Sequence, residues 1–426
     1  MGRELILAQD LRDQLDALGR VDLVVGIPSF NNVRTIPHVV RAVQVGLAKF
    51  FPGIRAAVIN SDGGSTDGTQ EAVREASLNE FRPLLAAHPV YPIHRIVTPY
   101  HGIPGKGSAL RTVFQAAVSL EAKACAVVDS DLRSIEPSWM DLLLSPVLRE
   151  DFDFVAPLYH RHKYDGTITN SIVYPLTRSL YGQRVRQPIG GDFGFSGGLA
   201  RHYLEQDVWE SDVARFGIDI WMTTTAIIDG FKICQAFLGA KIHDAKDPSQ
   251  DLSHMLHQVV SSVFSQMESR EDAWNSIMGS LPVALFGMEH AVGMEPIRVD
   301  PDRMVRLFLT GLQELATIWE QVLRPEVFSQ LRLLAVDPPA AFRFPAVLWI
   351  RILHDFAVAF HRRMIDREHL LQSLTPLYLG RLASFVRETE DLSADDVEAL
   401  HEQMCLRFEA LKPELIELWH SHGRTS

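Results

Sequence analysis

Apolar runs of strand length recur through the first half of the chain, and most are followed by apolar residues at helical spacing. The runs are 21–28, 56–60, 95–97 and 124–128. After the first, Ile36, Val39, Val40, Val43 and Leu47 share a helical face that starts near Pro37. After the third, Leu110, Val113, Phe114 and Ala117 form a second such stripe. Alternation of this kind predicts a mainly parallel sheet with helices on both faces. Residues 4–19 read as a helix leading in, and 154–159 as a further strand. Beyond Asp247-Pro248 the two-residue period disappears. There 249–265, 303–323, 345–363, 366–387 and 395–420 read as amphipathic helices, with proline-containing joints at 299–301, 338–339 and 375–376. The expected organisation is a leading helix over 1–20, an α/β domain over 21–248 and an all-helical domain over 249–426.

The run Ala124-Cys125-Ala126-Val127-Val128-Asp129-Ser130-Asp131-Leu132 is the chemical centre of the first half. Carboxylates at i and i+2 on an extended backbone share one face, here at the carboxyl end of a strand. That is where ligands bind in open α/β sheets, and paired carboxylates suit a hard divalent cation. Asp-x-Asp alone is also an ordinary Asp-rich turn. Two more loops fall at strand ends. Gly105-Lys106-Gly107 opens a helix with a cation among backbone N–H groups, which suits phosphate, although a Pro-Gly turn with a solvated lysine reads the same. Ser61-Asp62-Gly63-Gly64-Ser65 offers a carboxylate and flexible backbone for ribose or base, or forms a simple turn. His160-Arg161-His162-Lys163 is the densest basic cluster and favours anion capture over a solvated loop. Asp219, near a helix start, is explained by capping without any catalysis.

Composition changes this picture little. The chain has 426 residues, 46% of them hydrophobic, and a net charge of −12, which gives no support to a nucleic-acid-binding role. Its three cysteines, Cys125, Cys234 and Cys405, form no disulfide or zinc spacing and read as core. The first fifteen residues lack a signal-peptide core, and no apolar run reaches membrane-spanning length. A cytoplasmic protein is expected.

In order along the chain, Ile-Pro-Ser-Phe-Asn, Ser-Asp-Gly-Gly-Ser-Thr-Asp, Pro-Gly-Lys-Gly, Val-Asp-Ser-Asp-Leu, Gln-Pro-Ile-Gly-Gly-Asp and Phe-Gly-Ile-Asp resemble GT-A-fold glycosyltransferases. They are most similar to the retaining synthases of mannosylglycerate, glucosylglycerate and glucosyl-3-phosphoglycerate. The resemblance implies a GT-A (Rossmann-like) sheet domain and transfer of glucose or mannose from a GDP- or UDP-linked sugar to a small anionic acceptor. It implies Mn²⁺ or Mg²⁺ held by Asp131 and His243, with Asp129 on the metal water or the ribose. Pro28, Ser61, Asp62, Lys106 and Ser130 would contact the nucleotide. Gly190 and Gly191 would line the sugar side, Asp192 would bind sugar hydroxyls, and Asp219 would lie near the reaction centre. Arg161 and Thr169 would hold the acceptor carboxylate, with Lys163 beside them. Thr167 stands where phosphoglycerate-specific relatives carry an arginine, so D-glycerate or a similar small hydroxy acid is expected over 3-phosphoglycerate, which His160, His162 or Lys163 could still accommodate. The apolar helical half suggests a homodimer or larger homo-oligomer. A sugar-phosphate nucleotidyltransferase is the alternative enzyme, and a nucleotide-sugar-binding scaffold the alternative without turnover.

Overall fold

The computed structural model describes residues 8–76, 93–100, 103–215, 217–242, 253–290, 293, 297–336, 338 and 341–421. Two compact units emerge. The first takes 1–160, 185–244 and 282–294, and the second takes 161–184, 245–281 and 295–426. A single cut at residue 248 therefore does not separate them, because 161–184 belongs with the helical unit and a short strand near 285 returns to the sheet.

The first unit is built on an eight-stranded sheet in the order β3-β2-β1-β4-β6-β5-β7-β8. Its strands are β1 (Leu23–Ser29), β2 (Ala56–Asp62), β3 (His94–Pro99), β4 (Ala124–Val127), β5 (Phe154–His160), β6 (Phe193–Ser196), β7 (Ile233–Ala240) and β8 (Ala284–Phe286). All pair in parallel except β6, which is antiparallel to both β4 and β5. Alternation along the strands sends Leu23, Val25 and Ile27 to one face, with Val58, Ala124 and Ala126. Helices α2 (Ile36–Phe50) and α5 (Ser138–Arg149) cover that face. Val24, Ala57, Ile59, Cys125 and Val127 point to the other, under α1 (Gln9–Leu18), α4 (Lys106–Ser119), α7 (Gly197–Glu205) and α8 (Ile218–Ile228). Helix α3 (Thr69–Glu75) follows β2. Burial on both faces explains why the strands read as continuous apolar runs rather than alternating ones.

The second unit is helical. A π-helical turn over Thr169–Val173 runs into α6 (Tyr174–Tyr181). Later come α9 (Ser253–Ser269), α10 (Glu271–Trp274), α11 (Pro301–Glu314), α12 (Ala316–Val322), α13 (Pro325–Leu333), α14 (Ala346–Arg362), α15 (Arg367–Thr389) and α16 (Ala394–His420). Two expectations are corrected. The stretch 303–323 is two helices broken at Leu315, and the 375–376 joint breaks nothing, since α15 runs through Pro376. Arg178 is fully buried and is held by Glu402, bonded at 2.5 and 2.8 Å, and by Glu409 at 2.8 Å. All three cysteines are buried with free thiols, and no described helix is long and apolar enough to cross a membrane.

Candidate active site

The reversal of β6 creates the site. Val127 on β4 pairs with Phe193 on β6, so Asp129, two residues past the end of β4, meets Asp192, one residue before the start of β6. The Asp129 N–H donates to Asp192 Oδ1 at 2.8 Å. Lys241 follows β7 directly and Tyr159 lies at the end of β5, so both arrive at the same edge. Lys106 is the first residue of α4, after β3, and Asp219 the second of α8.

Here two lysines share three carboxylates. Lys106 Nζ lies 2.8 Å from Asp129 Oδ1 and 3.1 Å from Asp219 Oδ1, with the Gly191 carbonyl at 3.3 Å. Lys241 Nζ lies 2.7 Å from Asp129 Oδ2, 2.8 Å from Asp192 Oδ2 and 2.7 Å from the Gly190 carbonyl. The Tyr159 hydroxyl also donates to Asp192 Oδ2. Burial alone would raise the pKa of Asp129, but the two ammonium groups outweigh it and hold the carboxyl well below the usual range. Burial likewise opposes charge on Lys106, yet Asp129 and Asp219 keep its pKa well above the ordinary value. Burial, reinforced by the Asp129 charge and opposed by Lys106, raises that of Asp219.

Glycine is required twice in this cluster. A Cβ on Gly191, whose φ is +87°, would stand 2.1 Å from Asp129 Oδ2 and 2.8 Å from Lys241 Nζ. A Cβ on Gly190 would stand 2.1 Å from Pro157 Cγ. The pair can thus turn its two carbonyls onto the two lysines. The Gly105-Lys106-Gly107 loop departs from the expected open cradle. Gly105 N–H donates to the Tyr100 hydroxyl and Gly107 N–H to the Arg215 carbonyl, so both are spent within the protein.

At the neighbouring strand ends the β1 and β2 loops are stitched together. Asn31 N–H donates to Ser65 Oγ at 2.8 Å, Asn32 N–H to Thr69 Oγ1 at 2.8 Å and Val33 N–H to Asp67 Oδ2 at 3.1 Å. Asp62 is consumed here. Its buried carboxylate accepts from Ser29, Gly64, Gln70 and, twice, Ser65. Burial raises its pKa, but these bonds outweigh it and the net shift is downward. Asp62 therefore builds the loop instead of facing a nucleotide. Ser130 does similar work, its hydroxyl on Asn32 Oδ1 at 2.7 Å and its carbonyl accepting from Thr35 Oγ1 at 2.8 Å. Buried Pro28 pairs in register with Ser61, whose buried hydroxyl has no partner among the described residues. Phe30, unremarked in the sequence, stands 61% exposed on this pinned loop.

His243 lies outside the described residues. Among the described residues no group of three His, Cys, Asp or Glu side chains is disposed to hold a metal. The segment on which Asp131 sits is nevertheless tied to the residue before His243. Arg133 N–H donates to the Ile242 carbonyl, and Ile242 N–H to Ser134 Oγ, both at 2.9 Å. Both oxygens of Asp129 are engaged by lysines, Oδ1 by Lys106 and Oδ2 by Lys241.

The residues expected at the acceptor lie in the helical unit. Arg161 pairs with Asp165 at 3.6 Å, and Thr169 is buried at the start of the π-helical turn. Lys163 corrects the expectation. Its ammonium donates to the carbonyls of Thr389, Glu390 and Leu392 at 2.5, 2.8 and 3.2 Å, capping the end of α15. Thr167 is buried and bonds the Tyr378 hydroxyl at 2.6 Å, so it looks into the helical core. Lys241 and Tyr159 are the site residues the sequence did not single out. The available signal was a lysine immediately after an apolar strand.

No protein-family model matches the chain, and no curated protein matches it. Among solved structures it is similar to a glucosyl-3-phosphoglycerate synthase from Mycobacterium tuberculosis in complex with Mn²⁺, UDP and phosphoglyceric acid. Identity is 21%, with 60% of this chain and 81% of that one covered, at a TM-score of 0.42. The same enzyme with Mg²⁺ and UDP gives 21%, 62%, 84% and 0.43. A structure described as a mycobacterial protein gives 21%, 59%, 77% and 0.42. Likeness of this degree leaves what the chain binds to be read from its own residues.

Proposed function

We propose that this chain is a metal-dependent glycosyltransferase that moves glucose or mannose, with retention, from a nucleoside diphosphate sugar to D-glycerate or a similar small hydroxy acid. The observation that carries this reading is the Lys106–Asp129–Asp219 cluster at the carboxyl edge of the sheet. Its side chains keep 16%, 22% and 12% of their surface open. A buried ammonium among carboxylates is preorganised to turn onto a diphosphate as negative charge develops on the leaving group. Asp129 offers carboxylate lone pairs to the ribose, and Phe30 offers an exposed ring for the base to stack on. Asp219 lies beside Lys106, suited to steadying positive charge at the reacting sugar carbon. Asp131 and His243 would hold the divalent ion, which supplies Lewis-acid stabilisation of the leaving diphosphate.

The acceptor assignment rests on Arg161 and Thr169 for a carboxylate. Thr167 points into the helical core and Lys163 is committed to capping α15, so neither supplies a phosphate fork. The similar mycobacterial synthase binds phosphoglyceric acid, which makes the phosphorylated acid the direct competitor. UDP- and GDP-linked glucose and mannose, each incubated with glycerate or 3-phosphoglycerate and Mn²⁺ or Mg²⁺, test both halves. The expected result is a glycosylated glycerate formed only with metal and lost in Asp131→Ala. Turnover that survives both chelation and Asp131→Ala would overturn the metal assignment. A preference for the phosphorylated acid would overturn the acceptor.

A further inference from the structure

Lys241 and Asp192 differ from the other charged groups of the cluster in being closed off. Their side chains are 5% and 0% exposed, against 22% for Asp129. An ammonium has three N–H donors. Those of Lys241 match three acceptors, Asp129 Oδ2, Gly190 O and Asp192 Oδ2, all within 2.8 Å. Asp192 is equally committed, one oxygen to the Asp129 N–H and the other to Lys241 and Tyr159. These bonds join residues at the ends of β4, β5, β6 and β7, behind the carboxylate that remains open. Asp192, expected to bind sugar hydroxyls, has no open surface with which to do so.

Building on the donor reading above, we propose that Lys241 is a positioning residue for sugar transfer. With Asp192 and Tyr159 it forms a buried clamp that fixes the Asp129 carboxylate, and it acts on the donor only through Asp129. Because Lys241 holds Oδ2, Oδ1 stays on Lys106, and the Gly190-Gly191 turn is pinned by the same ammonium. Releasing the clamp lets Asp129 rotate away from the donor with no substrate contact removed.

The test is a double-mutant cycle on donor kcat/KM. Lys241→Met is expected to lose roughly 100-fold, the cost of a misplaced catalytic-site group. Added to Asp129→Asn, it is expected to cost less than about threefold more, because the two act as one unit. Lys241→Arg, which keeps the cation, restores activity to within about tenfold of wild type on the same reasoning. Tyr159→Phe removes one hydroxyl and gives a milder loss in the same direction, so the inference stays testable if Lys241→Met folds poorly. Melting temperatures read alongside separate fold from function. A lower Tm with unchanged activity per folded molecule overturns the proposal. So does a full additive loss in the cycle with a raised donor KM, which would mean that Lys241 touches the diphosphate itself. Wild-type protein inert toward every nucleotide sugar takes down the donor reading and this inference together. Wild-type turnover with an additive cycle takes down the inference alone.

Discussion

Lys106 is the residue on which the donor reading turns, because of the two lysines in the cluster it is the one with open surface, 16% against 5% for Lys241. Lys106→Met is expected to lower kcat by roughly 100- to 1,000-fold, the usual cost of removing one preorganised group that meets developing charge. Binding of the intact nucleotide sugar should weaken far less, because the full charge appears only on the departing diphosphate. Equal losses in both would mean uniform binding and no special role in transfer. Phe30→Ala should raise the Kd of the nucleoside diphosphate by roughly 5- to 150-fold, since stacking a base on an aromatic ring contributes about 1–3 kcal/mol. Titration calorimetry reads this directly, and an unchanged Kd removes the ring from the site. Asp129, Lys106 and Asp219 stand out in the sequence because each lies where an apolar run ends or a helix begins, whereas Asp192, ahead of β6, is reached only through the family resemblance. Tyr159 does not stand out, since a tyrosine inside a strand reads as core. Lys241 was passed over because a lysine after a strand is usually solvated, and only the register of β6 shows that this one is enclosed.

At the level of elements, β1 to β5 and most helices are legible because burial on two faces leaves a strong apolar signal, whereas β6, β7 and the three-residue β8 were not expected. The reversed direction of β6 is not legible, as four residues carry no mark of polarity. Pro376 misled for a physical reason: a proline removes one helical hydrogen bond but does not end a helix whose buried residues hold it on both sides. A basic run such as His160 to Lys163 does not reveal which carbonyls its lysine will cap. Lys163→Met is expected to destabilise the helical unit by about 1–2 kcal/mol, as three helix-end carbonyls lose their cation. Acceptor KM should stay unchanged. Urea unfolding and steady-state kinetics check both, and a raised acceptor KM would return Lys163 to the site. Thr167→Arg, which on sequence grounds would install a phosphate fork, should instead cost about 1–3 kcal/mol by overpacking beside Tyr378.

At the scale of the whole molecule, pH sensitivity is expected from the helical unit. His354, on α14, is fully buried, and its Nδ1 has no hydrogen-bond partner among the described residues. Burial, helped by Arg324 and Arg351 against Glu414, pushes its pKa down to about 3. A histidine depressed on folding contributes stability that is complete above its unfolded pKa of about 6.5 and is lost as pH falls toward the folded value. Stability should therefore decline below about pH 6.5 at up to about 1.4 kcal/mol per pH unit. Urea midpoints at about pH 7.5 and about pH 5, for wild type and His354→Gln, isolate this contribution. Neighbouring Asp355, pushed up to about 6 chiefly by burial, titrates in both proteins and largely cancels in the difference. Equal pH slopes in the two proteins would exclude His354 as the cause. The homo-oligomer suggested by the apolar helical half is a separate proposal, and sedimentation as a monomer at micromolar concentration would dismiss it.

The interleaving of the two units has a consequence in time. The chain passes between them at 160/161, 184/185, 244/245, 281/282 and 294/295. Arg178, synthesised before the sheet is complete, is buried only when Glu402 arrives 224 residues later. At about 5–20 residues per second that is a wait of roughly 10–45 s with a segment of the helical unit exposed on the ribosome. Ending the chain at residue 248 would make the wait permanent. Such a fragment, attractive on sequence grounds as a minimal catalytic domain, is expected to emerge bound to chaperones or insoluble, whereas the full chain folds.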